Sequence, residues 1–143
     1  MSVTRRMDCD ARQDQLPAML QFVTAACGEL GLPEDVAFDV RLAVEEACTN
    51  IVMHGYRGGA PGPVSIEMMR DEDRVVVTIR DSGVAFHPEA VAPPRLRASV
   101  EERALGGLGW HLIKSTMDHV QHEHDPETGN TLTLVKHIPG AGA

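Results

Sequence analysis

At 143 residues the chain is the length of one ordinary domain, long enough to bury roughly two-thirds of the surface its unfolded form exposes without disulfide or metal staples. Its 13 Lys plus Arg against 21 Asp plus Glu leave a formal charge of -8, which opposes a phosphate backbone and argues against direct nucleic-acid binding; aromatics at 3% leave few platforms for base stacking. Cys9, Cys27 and Cys48 are odd in number and never spaced CxxC, so they read as reduced, buried small hydrophobes. The N-terminus lacks the apolar core of a signal peptide, and no apolar run approaches the roughly 18 residues of a membrane span. The expected compartment is the cytoplasm, with no membrane contact.

No repeat, low-complexity tract or Ser/Gly linker divides the chain, so residues 1–143 read as a single domain. Residues 2–8 suit a short edge strand. Leu16, Met19, Leu20, Val23, Cys27 and Leu30 recur at helical spacing, with Gly28 and Gly31 bracketing the end, which predicts a helix over about 14–30. Pro33 at the first helical position, followed by Glu34 and Asp35, opens a second helix. Val40, Val44, Ala47 and Ile51 form its apolar stripe, and Gly55 helps to end it. Glu46 and Asn50 lie off that stripe, four residues apart and therefore on one face.

A turn-rich RGGAPGP follows, then Val64, Ile66 and Met68 alternate with polar residues as a half-buried strand does. Asp71, Glu72 and Asp73 turn the chain into VVVTI, giving an antiparallel hairpin that breaks at Asp81-Ser82-Gly83. Over about 84–106 Pro88, Pro93 and Pro94 forbid a long helix, while Arg95, Arg97 and Arg103 mix with Glu101 and Glu102. A loop of that length inside one domain suggests a lid. Gly106-Gly107-Leu108-Gly109 then opens a helix whose buried side is read as Leu112, Ile113, Met117 and Val120, and a last hairpin turns at DPETGN to end near Ile138. Helices and hairpins are segregated rather than alternating. That order predicts a two-layer α/β sandwich, with a mixed, mostly antiparallel sheet and the helices on one face.

Three features carry candidate chemistry, and each has a plain structural rival. Three glycines in four residues before a helix let backbone N–H groups approach an anion, or simply form a hinge. Asp81, two before Gly83, suits either an exocyclic amine such as that of adenine or an ordinary Asx-turn. Glu46 and Asn50 suit either a pocket or an exposed helix face. His119, His122 and His124 invite a zinc reading, yet only 122 and 124 share a strand face and no cysteine joins them, so none is expected. Trp110 and Tyr56 read as packing residues.

Taken together, LAVEEACTNIVMHGY, DSGVAFHP, GGLGWHLIKSTMD and GNTLTLVK resemble the GHKL superfamily of histidine-kinase-like ATP-binding domains, which has the Bergerat-type fold. Most similar are the bacterial anti-sigma-factor serine/threonine kinases. The resemblance implies ATP and Mg²⁺ as cofactors: Asn50 as the metal ligand, Glu46 as the catalytic carboxylate, Asp81 on the adenine amino group with Gly83 beside it. It further implies Gly107 and Gly109 at the phosphates and Thr49 as a polar contact. Arg103 is the lid candidate for the γ-phosphate, although the family often carries a basic residue nearer the glycines, where this chain has Leu105.

The activity so implied is that of an ATP-dependent protein serine/threonine kinase acting as an anti-sigma factor. Its partners would be a STAS-type anti-anti-sigma protein, which it phosphorylates, and a sigma factor, which it sequesters. A homodimer, with the N-terminal strand and first helix in contact, is also implied. The alternative is a catalytically silent ATP-binding partner-switching regulator. The ATP-binding part of a sensor histidine kinase is disfavoured, because no histidine precedes His54 to serve as an upstream phosphoacceptor.

Overall fold

The computed structural model describes residues 2–56, 59–84 and 108–140, the Leu108 side chain excepted. In chain order these give β1 (Val3–Asp10), a 3₁₀ turn (Gln13–Gln15), α1 (Leu16–Glu29), α2 (Glu34–Asn50), a π-helical turn (Ile51–Gly55), β2 (Pro63–Arg70), β3 (Arg74–Asp81), α3 (Leu108–Thr116), β4 (His119–Asp125) and β5 (Gly129–His137). The expected succession of elements is therefore observed. The expected lid over 84–106 lies, beyond Val84, outside the described residues.

The strands form one five-stranded sheet in the order β1-β2-β3-β5-β4, and each described neighbour pair is antiparallel. The mixed sheet expected from sequence is thus antiparallel throughout its described strands. The order puts β1 at an edge, as expected. Register explains which side chains meet: Met7 faces Ile66, Ile66 faces Ile79, and Ile79 faces Leu132, a continuous apolar row across four strands. Along β3 the alternation is strict, with Val75, Val77, Ile79 and Asp81 buried and the residues between them more open.

Helical side chains complete that core. From α1 come Met19, Val23, Ala26 and Cys27; from α2 Val36, Val40, Ala43, Val44, Ala47 and Cys48; from α3 Trp110 and Ile113. Fully burying a Val- or Met-sized side chain contributes about 1.5–3 kcal/mol, whereas an i,i+4 surface pair contributes about 0.2–0.5 kcal/mol. The apolar stripe therefore decides where α2 lies. Cys27 and Cys48 are buried and Cys9 half-buried, all three as free thiols, and burial pushes the Cys48 thiol up to about 12.

Element ends are fixed by local hydrogen bonds. Gly31, at φ 64°, donates to the Gly28 carbonyl at 3.0 Å while Leu32 donates to Cys27 at 3.0 Å, the two bonds of a Schellman stop for α1. Arg70 Nη1 adds bonds to the carbonyls of Leu30 (2.7 Å) and Gly31 (2.8 Å), tying that helix end to β2. Pro33 is the N-cap of α2 and not, as expected, its first helical residue; its extended ψ of 151° precedes the turn. Helix α3 stops at Thr116, short of the expected span. The Thr116 hydroxyl bonds back to the Leu112 carbonyl at 2.9 Å, and Asp118 N–H is already taken by Val135 of β5 at 2.9 Å. Val120 accordingly belongs to β4 and is half-buried.

Lys136 joins three elements. From β5 its Nζ donates to the Thr116 carbonyl at the end of α3 (2.7 Å) and pairs with Asp39 Oδ2 of α2 (3.1 Å), with only 19% of its side chain exposed. A cation at a helix C-terminus complements the exposed carbonyls. Lys136→Met is expected to cost about 1.5–3 kcal/mol, the range for hydrogen bonds to charged groups, in urea unfolding monitored by circular dichroism.

Candidate functional site

Strict alternation carries β3 from three buried aliphatics to a buried carboxylate, Asp81, only 7% exposed. A carboxylate so placed needs hydrogen-bond donors. Two arrive on the same oxygen: Gly83 N–H donates to Asp81 Oδ1 at 2.9 Å, and Asn130 Nδ2 donates to it at 3.1 Å. The first is the Asx-turn that the sequence allowed. Both bonds leave Oδ2 without a donor among the described residues, and it is not a sealed-off orphan, since none of their buried side-chain polar atoms lacks a partner. Asp81 thus makes its structural turn with one oxygen and presents the other.

The turn after Asp81 is clamped against the end of α2. After Asn50 the helix widens into a π turn, a feature often found beside functional sites. Its last residue, Gly55, accepts a hydrogen bond from Val84 N–H at 2.7 Å. A Cβ on Gly83 would overlap the Gly55 carbonyl group, with its carbon 2.7 Å away and Asp81 Oδ1 at 3.0 Å. Glycine is required there by backbone approach. Tyr56 locks the same junction: its hydroxyl accepts from Ser82 N–H at 2.7 Å and donates to the Pro63 carbonyl at 2.6 Å. It packs on the core, as expected, and ties as well.

Glu46 and Asn50 sit where α2 runs toward this junction. Both are half-buried, as is Thr49. A Cβ on Gly109, in the first turn of α3, would lie 2.6 Å from Glu46 Oε2, so the missing side chain makes room for the carboxylate. Burial, with a smaller contribution from neighbouring Glu45, holds the Glu46 carboxyl above its usual range. Among the described residues no cation pairs with Glu46 and nothing hydrogen-bonds the Asn50 carboxamide. Asn50 is the last α-helical residue, because the π turn begins at Ile51, within the span that was expected to run on toward Gly55.

The structure therefore brings together Asp81, Gly83 and the end of α2 on one side, and Glu46 with Gly109 on another. Gly107 and Arg103 lie outside the described residues, as does Gly106. Residues missed in the sequence are Asn130, Gly129 and Gly55. Gly129 has φ 97°, and a Cβ on it would lie 2.7 Å from Ser82 Cα. Its place in the turn sequence signals a tight bend, but only the β3–β5 register shows what it approaches. Among the described residues no group of three or more His, Cys, Asp or Glu could hold a metal ion. His122 and His124 instead contact Asn130, at 3.0 and 3.2 Å.

An antiparallel sheet packed, among the described residues, with three α-helices, and a carboxylate-glycine turn facing an Asn-bearing helix, fit a histidine kinase-like ATPase domain, and that family matches residues 9–136. The chain belongs to it. Similar curated proteins are the serine-protein kinase RsbW of Bacillus mycoides, 32% identical over 87% of this chain and 82% of that protein, and the anti-sigma F factor of Bacillus licheniformis, 31% identical over 81% and 80%. Among solved structures, the histidine kinase domain of the Erythrobacter litoralis EL346 blue-light activated histidine kinase superposes with a TM-score of 0.57 at 18% identity. That match covers 87% of this chain and 60% of the other, and it supports the fold alone. The resemblance read from the sequence motifs is borne out. No helix among the described residues is long and apolar enough to cross a membrane.

Gly83→Ala puts a methyl group into backbone that cannot yield, so it is expected to destabilise by about 1–3 kcal/mol, the range for overpacking. Thermal unfolding of the purified variant checks this. Gly28→Ala, where nothing lies within 4 Å of the added carbon, is the control expected to leave stability within about 0.5 kcal/mol.

Proposed function

We propose that this chain is an ATP-dependent protein serine/threonine kinase that acts as an anti-sigma factor. It phosphorylates a STAS-domain anti-anti-sigma protein and, when not so engaged, sequesters a sigma factor. The observation that carries the catalytic reading is the part-buried Glu46 carboxylate against Gly109, one helical turn from Asn50 and with no cation paired to it among the described residues. The relatives named serine-protein kinase and anti-sigma F factor support the same class.

The division of labour follows from the residues. Asp81 Oδ2 accepts a hydrogen bond from the 6-amino group of adenine, and Gly83 keeps the turn narrow beside it. Gly109 offers side-chain-free backbone in the first turn of α3, where helix N–H groups favour an anion, and Gly107 is the second phosphate-binding glycine of this reading. The Asn50 carboxamide oxygen would hold Mg²⁺, a hard cation that takes oxygen ligands and keeps several waters; Thr49 adds a polar contact and Arg103 a charge toward the γ-phosphate. When bound, the metal supplies neutralisation of phosphate charge.

Glu46 acts as base. As the substrate hydroxyl oxygen bonds to the γ-phosphorus, its proton passes to the Glu46 carboxylate; the bond from that phosphorus to the bridging oxygen breaks and ADP leaves. The base must be ionised to accept the proton. Transfer should therefore fall as pH drops through the Glu46 pKa, and burial sets that acid limb above the usual carboxylate value of 4.5. Stability has the opposite sign: a raised folded-state pKa means that ionised Glu46 opposes folding above it. Two copies of the chain pair through β1 and α1 in this reading, and β1 is an open sheet edge.

Incubation with Mg-ATP and the STAS protein encoded nearest to it should yield phosphoserine or phosphothreonine on that partner. Glu46→Gln should lower transfer by about 10²–10⁴-fold, the range for a general base, while leaving the melting temperature at pH 7 unchanged or higher. Nucleotide binding that survives while Glu46→Gln alters neither turnover nor partner release would favour the catalytically silent regulator instead. For the metal, calorimetric titration of ATP with and without Mg²⁺ should show a strong magnesium dependence in wild type that Asn50→Ala loses. Equal dependence in both proteins would remove Asn50 from the metal site.

A further inference from the structure

Sheet register sets Asp81 of β3 opposite Asn130 of β5, and Asn130 opposite His124 of β4. Asn130 is only 4% exposed. Its Nδ2 donates to Asp81 Oδ1 at 3.1 Å and to the Val84 carbonyl at 2.8 Å, while its Oδ1 lies 3.0 Å from His122 Nε2 and 3.2 Å from His124 Nδ1. The amide has one chemically consistent orientation. Reversed, it would set its oxygen against a carboxylate oxygen and a carbonyl oxygen in a buried site, two acceptor pairs with no proton between them. With that orientation fixed, the two ring nitrogens facing Oδ1 carry hydrogen, and each histidine donates to one lone pair.

We propose that Asn130 is the positioning residue for the Asp81 carboxylate in adenine recognition, and that His122 and His124 hold Asn130 in the donating orientation. This deepens the reading of Asp81 as the adenine acceptor and rests on it. A carboxylate bound by one short turn alone can rotate about its last torsion, which is broad and two-fold. Two donors on Oδ1 from different directions, one from the turn and one from β5, fix its plane and leave Oδ2 as the oxygen offered to ligand. Asn130 also holds the Val84 carbonyl, so the carboxylate and the residue leading into 85–107 share one anchor. Because it acts through Asp81, the signature of Asn130 is selectivity for the 6-amino group.

The experiment compares ATP with purine riboside 5′-triphosphate, which lacks the 6-amino group, by equilibrium binding with Mg²⁺ present. Wild type should bind ATP more tightly. Asn130→Leu, close in volume but without a donor, should weaken ATP by about tenfold, as befits a lost hydrogen bond to a charged group, and the analogue by less than twofold. A uniform loss on both ligands, or an unchanged preference, overturns the proposal whatever happens to the melting temperature. Should Asn130→Leu fail to fold, the His122→Thr and His124→Thr double variant decides. Threonine suits a strand but is too short to reach Asn130, and the ATP preference should shrink by about threefold. An unchanged preference there overturns the proposal. Wild type that does not distinguish the two nucleotides would defeat the Asp81 reading itself, and this inference with it.

Discussion

The burial of one carboxylate at the end of an apolar strand organises the rest of the site. Asp81 follows Val75, Val77 and Ile79 on the core side of β3, where an unsatisfied charge would be costly. Its donors come from two places distant in sequence. Gly83 N–H requires the chain to double back at once, and Asn130 Nδ2 requires β5 to pair with β3 in one register only. A slip of one residue would turn Asn130 to the other face and leave the carboxylate with one donor. The doubling back brings Gly83 against Gly55, so the end of α2 is placed by the same constraint. Gly129 is then confined by the Asp81–Ser82 backbone beside it.

Helix α2 serves two masters. One side buries Val36, Val40, Ala43, Val44, Ala47 and Cys48, which makes it a rigid member of the core. The other carries Glu46 and Asn50, and neither side chain finds a partner among the described residues. That is a poor arrangement for stability, because burial, with a smaller contribution from Glu45, raises the Glu46 carboxyl and no cation among the described residues compensates. A base, however, needs a carboxylate that is neither neutralised by an ion pair nor fully solvated. The large apolar interface lets the helix carry this unfavourable group, and the π turn shifts the chain after Asn50 toward the Asp81 turn. In the proposed reading, positioning comes from the core and reactivity from two polar groups that no described residue claims.

Most of the architecture was legible because periodicity reports burial directly. The stripe of α1, the alternation of β2 and β3 and the glycine stop at Gly31 each have one structural solution. The errors have a common source: hydrophobic spacing does not distinguish states that bury the same residues. Met117 and Val120 fit a continued helix as well as a strand, and only the Thr116 hydroxyl and the Asp118–Val135 bond decide between them. The π turn at Ile51 is invisible for the same reason, since its apolar residues suit either helix type. Asn130 was not legible at all. Its role depends on register with a residue 49 positions earlier, and its composition signal is that of a turn. The Asp81–Gly83 turn was legible because carboxylate and glycine stand two apart in one local motif.

The chain's charge of -8 bears on how an anionic nucleotide is received. Arg5, Arg6, Arg12 and Arg74 are paired with Glu29, Asp8, Asp14 and Asp71 on the exposed surface, and Lys136 is held by Asp39 and Thr116. None of these cations is available to a phosphate without breaking its pair. At the candidate site itself Glu46 places a carboxylate beside the start of α3, and no cation among the described residues pairs with it. In the proposed reading, positive charge arrives with the ligand as Mg²⁺ and from Arg95, Arg97 and Arg103 in the segment that joins Val84 to α3. Both ends of that segment attach at the site, one through Val84 and Gly55, the other at Gly109 beside Glu46. A nucleotide that recruits those arginines therefore links its adenine turn to its phosphate end through one stretch of chain. Recognition of the base and neutralisation of the phosphates are then coupled by connectivity, although no described side chain spans the two.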